Sequence, residues 1–343
     1  MEYLTDLLQL YLAYGLHFLG MLFRPDERIF ILYLVSSLIF AFAVYKYRTW
    51  QNQENVEAGR ARGFLAFLFP KRVWAHPSAW LDVRYFVFHK MIGHFLLFGL
   101  AAGCTAWGYA LVTGGGNLAE MARRGDEEAS MAVAVFYMFA FFIVSDLLAY
   151  AIHYLQHRVP ILWEFHKVHH SSEVMHPLSN FREHPVDNLS YMVLVGGGNG
   201  VFMGLAGQFL GYLPSMPSVL GVPLLMFLFN VMGYNLRHSH VWLRWRGNWS
   251  KVIPSPAHHH VHHSCHPDHL DKNFAFMFPV WDVLFGTYEM PETNKDVKFG
   301  VFGMEENDMD SCAKLYFMPF KKAFRRLRSK DTSADGESVL PPG

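Results

Sequence analysis

Long uncharged runs constrain this chain more than any other feature in it. Residues 29–45 are unbroken apolar or small, 93–113 carry one polar ring at His94, and 131–152 carry Asp146 as their only charge. Where lipid replaces water, backbone polar groups must be satisfied within the segment, and about 20 apolar residues in a helix cross the hydrocarbon. Each run therefore predicts a spanning helix. The runs 189–213 and 219–234 flank the turn Pro214-Ser-Met-Pro217 and predict a membrane hairpin whose second arm is short enough to tilt or stop partway. Residues 7–23, interrupted by His17, and the short 64–69 read as interfacial or re-entrant segments.

Loop charge sets the orientation. The stretch 46–92 holds Lys46, Arg48, Arg60, Arg62, Lys71, Arg72, Arg84 and Lys90 against Glu54, Glu57 and Asp82, whereas 114–129 is net acidic around Glu120, Asp126, Glu127 and Glu128. Basic loops stay in the cytosol, so 46–92 faces it, and counting spans from there puts 153–188 and 235–343 on the same side. Lys321, Lys322, Arg325, Arg326 and Arg328 agree, and the last dozen residues, rich in Ser, Gly, Pro and acid, read as a disordered end. The 29 basic residues are balanced by 29 acidic ones, which leaves no field to draw nucleic acid. Cys104, Cys265 and Cys312 make neither a disulfide framework nor a CxxC ribbon, which fits a reducing, cytosol-facing site. Glu2 and Asp6 stand where a secretory signal needs positive charge, so the N-terminal segment is expected to be retained.

Of 20 histidines, seven lie between 153 and 184 and nine between 238 and 269, the two segments that topology has just brought to one face. His153-Tyr-Leu-Gln-His157 places two imidazoles at i and i+4 on one side of a helix leaving the membrane, so both can reach one metal. His166-Lys-Val-His169-His170 and His259-His260-Val-His262-His263 then share an HxxHH spacing, which suggests a site with two similar halves. Each HxxHH can give one metal two ligands and a second metal the third. Any single histidine here reads equally well as a solvated or core residue. Collectively that reading fails, because desolvated imidazoles without partners cost ~1–3 kcal/mol each, and a metal supplies the partner. Eight to ten histidines exceed the usual zinc ligand set and suit two irons, although spacing alone leaves zinc open.

At these residues the chain resembles the fatty acid hydroxylase and sterol desaturase superfamily of membrane di-iron oxidoreductases. The family pattern of HxxxH, HxxHH and a distant HxxHH is met by His153 with His157, by His166, His169 and His170, and by His259, His262 and His263. Flanking text is similar too: Leu162-Trp-Glu-Phe, Arg182-Glu-His-Pro185, His238-Ser-His-Val241, Asp271-Lys-Asn-Phe274, and Trp281-Asp-Val-Leu-Phe-Gly-Thr-Tyr288. The resemblance covers 146–290 and implies His238 as a further ligand. It leaves His184 either binding metal or hydrogen-bonding a ligand, and His240 stands where many relatives have Asn. With Asp146, two turns before His153 on a similar helix face, these are the candidate catalytic residues. His258, His260, His266 and His269 lie off the repeated spacing and read as supporting or solvated.

The expected fold class is thus all-α, a polytopic membrane helical bundle with a cytosolic histidine-rich di-metal cap. Its division would be 1–128, N-terminal membrane and interfacial helices; 129–290, a hydroxylase/desaturase-like catalytic domain; and 291–343, a cytosolic tail. The resemblance implies two iron ions (Fe2+/Fe3+), O2 as co-substrate, and hydroxylation or desaturation of a membrane lipid such as a sterol or fatty acyl lipid. The segment 274–288 would form the lid, or serve simply as interfacial anchoring. Gly196-Gly-Gly-Asn-Gly200 lies in a membrane run without a βαβ context, so it reads as helix packing through Gly196, Gly200 and Gly204 rather than as a dinucleotide site. Electrons would come from a cytochrome b5- or ferredoxin-type reductase system. Two other classes compete: a zinc-dependent hydrolase, which would want an HExxH-like base, and a metal transporter or sensor, which would place ligands inside its spans.

Overall fold

The computed structural model describes residues 2–51, 63–97, 99–303 and 308–329, so the chain end read above as disordered lies outside the described residues. The helices are, in order, α1 (Glu2–Leu19), α2 (Ile31–Trp50), the short α3 (Phe64–Leu68) and α4 (Lys71–Trp74), α5 (Pro77–Phe88), α6 (Leu100–Thr113), α7 (Leu118–Glu128) and α8 (Met131–Arg158). There follow α9 (Pro160–His170), α10 (Pro185–Tyr191), α11 (Gly197–Leu210), α12 (Leu224–Val231), α13 (Pro256–His262), α14 (Val280–Phe285) and α15 (Cys312–Ser329). Among the described residues the one sheet is a two-residue pairing of β1 (Ser218–Val219) with β2 (Val222–Pro223), so the fold is all-α as expected.

Among the described residues, three stretches are long and apolar enough to cross a membrane: Ile31–Trp50, Met131–Arg158 and Pro185–Leu210. α8 runs past the expected end at 152, and the extension carries His153 and His157 onto the end of the bundle. The single helix expected over 93–113 is instead broken. A π-helical turn at His89–His94 and the 14-residue α6 are separated at Gly99, whose φ of +81° is comfortable only without a Cβ. The second hairpin arm has 8 helical residues in α12, about 12 Å of rise, and it stops partway at Gly233, φ +84°.

α6 and α11 lie side by side and parallel, with Gly196 against Ala101, Gly200 against Thr105, and Gly204 against Val112. A Cβ on Gly200 would stand 2.0 Å from the Thr105 carbonyl oxygen, and one on Gly108 would stand 2.0 Å from that of Gly197. Small residues at four-residue spacing are what lets two backbones approach this closely. α8 runs antiparallel to them: Tyr137 stacks on Phe202, while Ser145 meets Asn199 at 3.1 Å nearer the other end. Leu213 N donates to Met121 O across the far end, 2.9 Å, so acidic α7 and the turn after α11 lie together there. The described part of the basic stretch packs at the opposite end, where α5 meets residues 171–182 and the histidines cluster. There Leu81 and Tyr85 of α5, Val168 of α9 and Leu315 of α15 form one buried cluster, fixing α9 between its neighbours.

Candidate metal centre

Local sequence fixes the helices that carry the histidines. Pro160 begins α9 at its first position, where a missing N–H costs nothing, and all of His166, His169 and His170 are buried. α13 starts likewise at Pro256, and His258 accepts a hydrogen bond from the Ser255 backbone N–H at 3.1 Å as part of a capping box. Ser239 Oγ accepts from Val241 N at 3.0 Å in the turn that follows His238.

The nine histidines expected as ligands come together in two groups. His153, His157, His166, His170 and His262 make one, and His169, His238, His259 and His263 the other; within each, one ring nitrogen per residue lies within 4.8 Å of all the rest. The groups adjoin, since the His170 and His263 rings stack at 4.4 Å. Each HxxHH divides between them: α9 gives His166 and His170 to the first group and His169 to the second, whereas α13 gives His259 and its neighbour His263 to the second and His262 to the first. The pair is i and i+4, about 40° apart around a helix, and the lone member is i+3.

Whether a metal fits is decided by how the ring nitrogens are used. The Nδ1 atoms are tied outward: His153 to Phe274 O at 2.8 Å, His262 to Lys272 O at 2.9 Å, His169 to Arg182 O at 3.3 Å, and His166 to both oxygens of Asp187 at 3.1 and 3.2 Å. A neutral ring donating through Nδ1 turns a bare lone pair on Nε2 inward. Nε2 of His157, His166, His170 and His262 is buried and has no hydrogen-bond partner. In the second group, Nε2 of His259 lies 2.8 Å from that of His238 and 3.0 Å from that of His263. The four bare lone pairs converging in the first group repel one another unless a cation sits among them, whereas the rings of the second group hydrogen-bond to one another. The carboxylate–imidazole and carbonyl–imidazole pairs are those that orient metal-binding histidines. Burial also pushes His169 down to about 4 and His166 to about 3. Both rings are therefore neutral at pH 7 and free to ligate.

Asp146, His184 and His240 belong to neither group. Asp146 accepts from Met277 N and Phe278 N, both at 2.8 Å, and so pins the segment that follows the cavity-lining Phe274 and Phe276. His184 uses both nitrogens, accepting from Val186 N at 3.1 Å and donating to Tyr316 O at 3.0 Å. His240 donates to Phe67 O at 2.8 Å and lies edge-on to the Phe67 ring. Off-spacing His260 donates to Leu236 O at 2.9 Å, while His266 and His269 bond within their own loop.

Sequence reasoning passed over the carboxylates that hold these rings. Asp187 sits three residues beyond His184 and also accepts from Gln156. Asp282 accepts from Phe274 N at 2.7 Å and Ala275 N at 2.9 Å, which fixes the carbonyl that orients His153. Asp82, fully buried, binds Arg182, His176 and Ser172, and Arg182 in turn donates to Ser171 O and Ser78 O, closing the loop after α9. A cavity of about 290 Å³ opens against both groups. Its lining mixes polar side chains, Arg28, Glu183, Asn188 and Arg237, with the apolar rings of Phe274 and Phe276.

Helices long and apolar enough to span a membrane, capped by two groups of buried imidazoles that could hold metal, set the class of protein to look for. Residues 138–287 match the fatty acid hydroxylase family, so this segment is similar to members of the fatty acid hydroxylase superfamily. Relatives include the alkylglycerol monooxygenases of Danio rerio, 28% identical over 45% of this chain and 30% of the relative, and of Homo sapiens, 29% identical over 47% and 32%. The ornithine lipid hydroxylase OlsE of Rhizobium tropici is 28% identical over 47% of this chain and 44% of that protein. The matched region thus spans less than half the length of these relatives. No solved structure matches the chain.

Proposed function

We propose that this protein is an O2-dependent di-iron hydroxylase of a membrane lipid, with 129–290 as its catalytic unit and its metal centre on the cytosolic side. The observation that carries the proposal is the double cradle, in which nine histidines gather into two adjoining groups, four of them with buried Nε2 atoms that have no partner, inside the segment that matches the hydroxylase family. His153, His157, His166, His170 and His262 would hold one iron, and His169, His238, His259 and His263 the other. When bound, the irons supply activation of O2 and insertion of an oxygen atom into an unactivated C–H bond. The chain's own contribution is to keep the imidazoles neutral by burial, to hold a proton on His166 Nδ1 through Asp187, and to exclude water with Phe274 and Phe276. The cavity's mixed lining suits an amphiphile, with Arg28, Glu183 and Arg237 to meet a polar group. The relatives' names point to lipids that carry a polar head, and hydroxylation is favoured over desaturation because they are monooxygenases and hydroxylases.

Electrons must be delivered from outside, by a cytochrome b5- or ferredoxin-type carrier. The orientation rests on charge: the basic 63–92 region and the histidines share one end of the bundle, and acidic α7 lies at the other. The test is turnover of the iron-loaded protein in lipid extract with a reductant and isotopically labelled O2. The expected result is a lipid product that carries the label; turnover supported by zinc without O2 would overturn the assignment.

A further inference from the structure

α15 carries two faces that the metal chemistry does not use. Leu315, Pro319 and Ala323 are buried against the domain, and Arg326 donates to Glu164 of α9 at 2.6 Å. The other face is a stripe of large apolar side chains left in the open: Phe317 is 70% exposed, Phe320 50%, Phe324 59% and Leu327 52%. Their spacing of three, four and three residues keeps them within about 80° of one another around the helix. Exposed Lys321, Arg325 and Arg328 run along one edge of this stripe. Four exposed large hydrophobics in a row would be costly in water, and a soluble surface seldom shows a patch of this kind.

The height of the helix follows from its contacts. Phe320 packs on His184 with ring centroids 5.2 Å apart, and His184 is the residue immediately before the span Pro185–Leu210. Tyr316 packs on Phe88 at 5.0 Å, beside the π-helical turn that leads into α6. α15 therefore lies at the level where the span Pro185–Leu210 begins. We infer that α15 is a membrane-surface helix whose Phe317–Phe320–Phe324–Leu327 face sits in the headgroup and upper acyl region of the same leaflet, with Lys321, Arg325 and Arg328 on lipid phosphates. Apolar residues on one side and Lys or Arg beside them are the composition of helices that lie in the interfacial plane, and anionic lipid adds attraction for each basic residue near the surface. Because the buried face grips α9 and takes the His184 hydrogen bond on the Tyr316 carbonyl, seating α15 also steadies the helix that bears His166, His169 and His170.

The test uses the full chain in lipid nanodiscs, with Cys104→Ala, Cys265→Ser and Cys312→Ser as background and one nitroxide-labelled cysteine placed at a time at 317, 321, 324, 325 or 327. The expected result is that collision with lipid-soluble O2 exceeds collision with a water-soluble nickel chelate several-fold at 317, 324 and 327, and that the order reverses at 321 and 325. Phosphatidylserine in the disc should deepen the first three positions, and Lys321→Glu with Arg325→Glu and Arg328→Glu should cancel that dependence. Free nickel access at all five positions would overturn the inference. So would protection at 324 that appears only on adding an acidic electron-carrier protein, since the stripe would then be a protein-docking face. The readout needs neither bound iron nor turnover, so it stands or falls independently of the proposed chemistry.

Discussion

Asp187→Asn is the sharpest single perturbation of the double cradle. The carboxylate accepts from His166 Nδ1 at 3.1 and 3.2 Å and from Gln156, and it is buried. The amide keeps the shape but loses the charge, and it presents an NH2 where one of the two oxygens facing His166 Nδ1 stood. With a neutral amide in place of the carboxylate, the proton on Nδ1 is held less firmly and His166 Nε2 becomes a poorer and less fixed donor. Substitutions that remove such a partner typically weaken metal binding 10–100-fold, or about 1.4–2.8 kcal/mol at 1.4 kcal/mol per tenfold. The first group should lose affinity by this amount while the second, which Asp187 does not touch, keeps its own. Competition of the purified protein against a chelator of known affinity, read as metal per chain, should show one site weakened and one retained. An unchanged titration would refute the claim that Asp187 orients a ligand, and loss of both sites with loss of helical signal would show that it acts only through folding.

Four further outcomes follow from the same geometry. His169→Ala and His262→Ala, each taking a member from a different group, should abolish turnover, while His266→Ala in its exposed loop keeps most of it; equal loss in all three refutes the ligand set. Gly200→Ala must part α6 and α11 by about an ångström, because its Cβ would lie 2.0 Å from Thr105 O; overpacking of this kind costs about 1–3 kcal/mol, to be read as a lower Tm in detergent. Arg182→Met strips the buried Asp82 of its main cation, and breaking one side of a buried pair costs about 3–5 kcal/mol, so poor recovery of folded protein is expected; unchanged Tm would contradict the network. Stripping metal with a chelator should lower Tm, since an ion at a hundredfold excess over Kd adds about 2.7 kcal/mol per site, and a chelator without effect on Tm would deny the site a part in folding.

The imidazoles were legible because their spacing repeats. HxxHH at 166–170 and 259–263 and HxxxH at 153–157 announce themselves in a chain where charge is scarce, and the membrane runs put them at one end. What holds them was not legible. Phe274 O, Lys272 O and Arg182 O orient three of the rings, and a carbonyl is offered by every residue, so no side-chain pattern marks it. Asp187 and Asp282 look like ordinary helix-start acids until the fold brings them beside His166 and Phe274. Asp146 was noticed as a lone acid in an apolar run, and its helix face did point inward. Its partners are the amides of Met277 and Phe278, seen only in the fold. The break at Gly99 was missed for another reason: hydropathy stays high through 93–113, and one glycine in such a run signals packing and chain reversal alike.

The division of each HxxHH between the two groups ties their fates together. α9 and α13 each serve both cradles, so turning either helix by a single residue step, about 100°, would unseat every nitrogen it contributes to both. A shift of either helix is therefore felt in both cradles at once, whereas the loss of a single ring's partner, as in Asp187→Asn, is felt in one.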